Sequence, residues 1–184
     1  MSAHGSLRLI GAVLVVALFG WPRQAYGAGE KGKPERKTRV NVAILLFEGV
    51  ELLDFAGPAA VFGVAAEGKS FRVFTVAESR ELVRARGGVT VKPDYAVKDA
   101  PKAEVLVVPG GNMRNLGEAG RAWLKKAAAD AEIVMSVCMG AFLLAEAGLL
   151  DDLEATTHRW GIDNLKKAAP KCKVVSALAP PGRG

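Results

Sequence analysis

Short unbroken apolar runs alternate with segments of helical periodicity from residue 40 onward, and that alternation leaves this chain few architectures. Residues 40–47 (VNVAILLF) carry no charge, as expected of a central parallel strand covered on both faces. Residues 51–66 place Leu52, Leu53, Phe55, Ala59, Val61, Phe62, Ala65 and Ala66 at helical spacing. Gly57-Pro58 within them is expected to open a fresh helix after a short turn. Residues 71–77 read as a second strand, and 82–86 with 89–93 as a small hairpin turning at Gly87-Gly88. A third core strand at 104–108 stops at Pro109-Gly110-Gly111. An Ala-rich helix at 116–131, a fourth core strand at 132–137 and a helix at 140–147 capped by Gly148 follow. A helix at 160–169, closed by Pro170, leads to a strand beginning at 173–176. The pattern predicts an α/β fold: a doubly wound parallel sheet with helices on both faces, binding ligands beyond the carboxyl ends of its strands.

The amino terminus reads differently. Arg8 precedes the uncharged apolar stretch 9–21, and Ala25-Tyr26-Gly27 offers small residues at the two positions a signal peptidase reads. Residues 1–27 are therefore expected to be a secretory signal peptide, 28–38 a solvated linker, 39–176 the folded domain and 177–184 an irregular tail. The stretch is short for a membrane span, which needs about 20 apolar residues, although an uncleaved anchor stays open. A periplasmic or secreted location follows, with no stable membrane span after cleavage. The whole chain has 25 Lys and Arg against 19 Asp and Glu, net +6, and the segment 1–27 holds two of those bases and no acid. The remaining bases are scattered, without aromatic residues between them, so no nucleic-acid partner is expected.

Cys138 is the most informative single residue. In EIVMSVCMGAFLL (132–144) it stands where an apolar β-branched run ends and a helix-forming run begins. A thiol at such a junction is exposed on a tight turn and faces the positive end of a helix, which is expected to lower its pKa. The serine elbow of α/β-hydrolases has the same geometry. A small buried apolar cysteine fits the junction equally well. Cys172 lies in a polar turn, AAPKCK, and two free thiols fit these contexts better than a disulfide.

A cysteine nucleophile needs a proton partner, donors for developing negative charge and a shaped pocket. Asp54, between Leu53 and Phe55, is a candidate partner, either staying protonated to donate to a thiolate or shuttling a proton. Its neighbours alone fit a capping or turn aspartate better; Glu48 and Glu51 are rival carboxylates. Gly110 and Gly111 after a core strand can turn backbone N–H groups inward and, with the Met139 N–H, form an oxyanion hole. A plain strand-to-helix turn is the alternative. His158, the one histidine outside the signal segment, is either a base or pocket wall for Cys138 or a turn residue capping the next helix. No metal is expected, since zinc wants three or four ligands, and no cofactor, since no phosphate- or dinucleotide-binding fingerprint occurs.

Taken in order, FEGVELLDFAGP (47–58), VVPGG (107–111), SVCMGA (136–141), and AGLL (147–150) leading to ATTH (155–158) resemble the ThiJ/PfpI family within the class I glutamine amidotransferase-like superfamily. The nearest branch looks like the isonitrile hydratase-like proteins and the amidotransferase-like domains fused to AraC-type regulators. The resemblance implies a flavodoxin-like sandwich, often a homodimer, with Cys138 as elbow nucleophile, Asp54 as its hydrogen-bonding acid, and Gly110, Gly111 and the Met139 backbone around the oxyanion. It implies a hydratase or lyase acting on a small electrophile. The alternatives are a small-ligand-binding or redox-sensing module, or a truncated inactive relative. Two departures matter. Relatives carry histidine or threonine after the cysteine, where this chain has Met139, which neither takes a proton nor donates a strong hydrogen bond; peptidase activity is thus disfavoured. Relatives also continue into a Gly/Ser-rich turn and a closing helix, whereas this chain reads SALAPPGRG from 176, so its C-terminal part is expected to be truncated.

Overall fold

The computed structural model describes residues 39–176; the expected signal segment, linker and irregular tail lie outside these residues. Its core is a five-stranded sheet in the order β5-β2-β1-β6-β7, parallel throughout. The strands are β1 (Val40–Leu45), β2 (Phe71–Ala77), β5 (Tyr95–Ala96), β6 (Val105–Val108) and β7 (Ile133–Ser136). Val42 to Leu46 and Val105 to Val108 are buried, as their unbroken apolar runs require of strands flanked on both sides. The helices are α1 (Leu52–Val64), α2 (Glu118–Asp130), α3 (Ala141–Glu146) and α4 (Ile162–Ala168). Passing from β1 to β2 moves one way across the sheet, and from β6 to β7 the other. Right-handed crossovers therefore set α1 and α2 on opposite faces.

Several expectations need correction. Gly57-Pro58 does not restart a helix: α1 runs through Pro58 unbroken. Pro58 only removes the N–H that would bond to the carbonyl of Asp54, and packing of Phe55 against the core holds the helix together. The strand at 133–136 is an edge strand, with Ile133 57% exposed, because no further strand pairs beyond it among the described residues. The two-residue edge strand β5 was invisible in the sequence; Asp94 holds its approach by accepting from the Thr75 N–H and hydroxyl. The hairpin is present as β3 (Val83–Arg84) and β4 (Thr90–Val91), antiparallel. Glu154–Ala155 (β8) pairs in parallel with Lys173–Val174 (β9) in a separate two-stranded sheet. Gly148 does end α3: its N–H bonds to Ala145 and the Leu149 N–H to Leu144, which satisfies the last carbonyls. Among the described residues no helix is long and apolar enough to cross a membrane.

Candidate active site

Three loops leave the carboxyl ends of β1, β6 and β7 and meet. The chain after β1 is tied to the chain after β6 by an isolated bridge between Val50 and Gly111. Its hydrogen bonds run from the Asn112 N–H to Gly49 (2.9 Å) and from the Glu51 N–H to Gly110 (3.0 Å). This ladder leaves the Gly111 N–H unused. Asp54, in the first turn of α1, is 7% exposed and accepts from the Gly110 N–H at 3.0 Å. That is a bond to a loop 56 residues away, not a cap on its own helix. Gly110 lies so close to the elbow that a Cβ there would sit 2.8 Å from the Met139 nitrogen.

At the elbow, Val137 is still extended and Cys138 has φ +54°, in the left-handed region. A non-glycine residue held there costs about 1–3 kcal/mol and persists only when its surroundings over-determine it. Those surroundings are visible. The Val137 N–H bonds to Val108 and the Gly140 N–H closes back on Val137. A side chain on Gly140 would overlap the Val108 carbonyl. The Thr157 hydroxyl donates to the Cys138 carbonyl at 2.8 Å and the His158 N–H reaches the same oxygen at 3.3 Å. Cys138 itself is half-buried and unpaired, as is the thiol of the buried Cys172, in line with two free cysteines.

The electrostatics correct one expectation. Burial and then the charge of Asp54 push the Cys138 thiol above its ordinary pKa, and a hydrogen bond to Asp54 and the charge of Glu51 act the same way. Only the Met139 N–H favours thiolate. The helix after the elbow is a single 3-10 turn followed by six residues, too short a dipole to outweigh a neighbouring carboxylate. Asp54 is raised chiefly by burial and further by Glu51; the Gly110 N–H, the thiol and His158 oppose this. The carboxyl of Asp54 and the thiol of Cys138 thus each shift the other through their hydrogen bond and charge.

The remaining expected residues divide. Gly110 spends its N–H on Asp54 and the Met139 N–H is bonded to the Cys138 sulfur, so of the anticipated oxyanion donors only the Gly111 N–H has no partner among the described residues. His158 caps the 3-10 turn Arg159–Gly161, its Nδ1 accepting from the backbone N–H of Trp160 at 3.4 Å. The capping alternative is the one observed. Glu48 is committed to the Arg84 N–H, and Glu51 pairs with Arg86 at 3.4 Å. Sequence reasoning missed Thr157, Arg86 and Gly161, whose contacts are long-range; only the adjacency of Thr157 to His158 offered a hint. Gly161 matters because Met139 packs on it, its sulfur 2.9 Å from where a Cβ would stand. A shallow depression of about 630 Å³ opens beside Glu51, lined by Leu52, Leu53, Ala56, Arg86 and Gly87. Among the described residues no three His, Cys, Asp or Glu side chains gather as metal ligands.

Comparison with known proteins bears on the fold. The model of the DJ-1/PfpI family matches residues 40–174. A protein from the cpoL 5' region of Streptomyces lividans is 38% identical over 133 residues, covering 70% of this chain and 94% of that one. Isonitrile hydratase of Pseudomonas putida is 34% identical over 129 residues, covering 68% of this chain and 55% of the hydratase. The HTH-type transcriptional regulator CdhR of Pseudomonas aeruginosa is 28% identical over 138 residues, 73% of this chain and 41% of the regulator. The chain thus spans only about half the length of the last two relatives. A crystal structure of a ThiJ/PfpI family protein from Pseudomonas syringae superposes with a TM-score of 0.66 at 25% identity, covering 85% of this chain and 65% of the other.

Proposed function

The chain belongs to the DJ-1/PfpI family, and from that premise we propose that it is a cysteine-dependent hydratase acting on a small carbon electrophile of the isonitrile type. The observation that carries this reading is the strained backbone of Cys138, which holds a half-buried sulfur against the Asp54 carboxylate and the Met139 N–H. As sulfur attacks the terminal carbon of R–N≡C, Asp54 takes the thiol proton and returns it to that carbon, giving a thioimidate R–N=CH–S. Water adds to the thioimidate carbon, and the nitrogen gains one of its protons. Collapse of R–NH–CH(OH)–S then expels sulfur as the hydroxyl oxygen becomes the carbonyl; the hydroxyl proton passes through Asp54 to the sulfur, and the formamide R–NH–CHO is released. The Gly111 N–H stabilises the oxyanion that develops during collapse. Formamide production from p-nitrophenyl isocyanide by the protein and by Cys138→Ala is the test. A loss of at least a hundredfold in the variant is expected; equal rates would end the reading.

A second reading, a ligand-binding or redox-sensing module, is favoured by Met139 in a position that supplies no polar side chain and by likeness to a regulator. It calls for stepwise oxygen addition at Cys138 under mild peroxide, read by intact mass. Export and self-association belong to this proposal as well. Export rests on the apolar stretch 9–21 and the small residues at 25 and 27; a mature amino terminus other than one near residue 28 would contradict it.

A further inference from the structure

The loop that closes over the elbow is fixed at both ends. Thr157 is hydrogen-bonded to the Cys138 carbonyl and Gly161 is pressed against the Met139 sulfur. Between these anchors the chain displays His158, Arg159 and Trp160. Trp160 is 78% exposed, the most exposed large apolar side chain among the described residues. It is nonetheless held: the His158 ring meets it edge-on with centroids 5.0 Å apart, and the Arg159 guanidinium lies 5.0 Å from the indole centroid. The backbone N–H of Trp160 also donates to the His158 ring. Two contacts that orient an indole while leaving most of it in water make a preformed wall, not a core residue. The wall belongs to the loop that is bonded to the nucleophile's own backbone, since the Thr157 hydroxyl and the His158 N–H both donate to the Cys138 carbonyl.

We propose that Trp160 is the specificity-determining residue of the Cys138 site and selects electrophiles whose substituent is a flat apolar ring. This rests on Cys138 being the nucleophile. In this proposal an aryl group stacks on the open part of the indole, and the electrophilic carbon, joined to the ring through nitrogen, is thereby held for attack by the sulfur. A short alkyl group gains little from the same wall. Stacking of this kind contributes about 0.5–1.5 kcal/mol, so discrimination of roughly three- to tenfold between aryl and alkyl members of one reagent pair is expected.

Two maleimides test it, since both add the same thiol across the same double bond and differ only in their nitrogen substituent. Labelling of Cys138 in the full chain is followed by peptide mass spectrometry, with N-phenylmaleimide and N-ethylmaleimide, and rates are normalised to those of N-acetylcysteine. The phenyl-to-ethyl ratio is expected to fall about three- to tenfold in Trp160→Ala, with the ethyl rate unchanged, and to stay within twofold of the parent in Trp160→Phe. The same ratio in the parent and in Trp160→Ala overturns the proposal while leaving the nucleophile intact. Failure of both reagents to label Cys138 overturns the nucleophile and the proposal together.

Discussion

Cys138 shows how much one backbone angle can say. Its φ of +54° is unfavourable for a residue bearing a Cβ, and the fold keeps it there by bonds on either side of the sulfur. Replacement by glycine and by alanine separates the angle from the thiol. Cys138→Gly is expected to be more stable than Cys138→Ala by about 1 kcal/mol, measured by urea unfolding, because only alanine retains the strain. Equal stabilities would mean that the angle relaxes freely. The junction at 138 was legible in the sequence, from a β-branched run giving way to a helix former. The direction of the thiol pKa was not. Beyond burial it is set by Asp54, which lies far earlier in the chain and whose approach no local pattern records.

At the scale of elements, the site is made by tight docking of the turn after β7 onto the end of β6. Gly140 is the contact point, since a side chain there would collide with the Val108 carbonyl, a backbone atom that cannot swing aside. Gly140→Ala is expected to cost about 3 kcal/mol and to slow Cys138 labelling, through displacement of the elbow. A cost within a few tenths of a kcal/mol would show that the turn is loosely held. The order of strands and helices could be read from the chain because each core strand is an uninterrupted apolar run and each link is short. The sequence misled where a local signal was overruled by tertiary packing. Gly57-Pro58 looks like a helix break, yet α1 continues because Phe55 is anchored in the core. The run at 132–137 looks like a core strand, yet it borders the sheet, because edge position depends on partners and not on composition.

At the scale of the molecule, α1 leaves an apolar face uncovered. Leu53, Val61 and Val64 are 74%, 65% and 74% exposed, and with Gly57 and Ala60 they fall on one side of the helix. The only charge on this helix, Asp54, is turned inward. A helix apolar on every side is normally buried. A second copy is the proposed cover, since a stripe with small residues at its middle and large ones at its ends can pack on itself about a two-fold axis. Sedimentation equilibrium at micromolar concentration is expected to give a dimer for the parent domain and a folded monomer for Val61→Glu. A monomeric parent would contradict the dimer. Neither outcome touches the chemistry, which depends on residues of a single chain.

The central claim is that Cys138 and Asp54 share a proton as one nucleophilic unit, and the pH dependence of Cys138 alkylation tests it most directly. Iodoacetamide labelling of Cys138 is followed by mass spectrometry across pH in the parent and in Asp54→Asn, with buried Cys172 as internal reference. Burial and the carboxylate raise the parent thiol, so its rate is expected to climb only above the ordinary thiol range. Asparagine removes the charge and keeps an oxygen for the Gly110 N–H, so the inflection should move to lower pH. Each pH unit of that movement raises the labelling rate near neutrality about tenfold. Superimposable profiles for the two proteins would show that the carboxylate and the sulfur titrate independently, and the shared-proton account would be wrong.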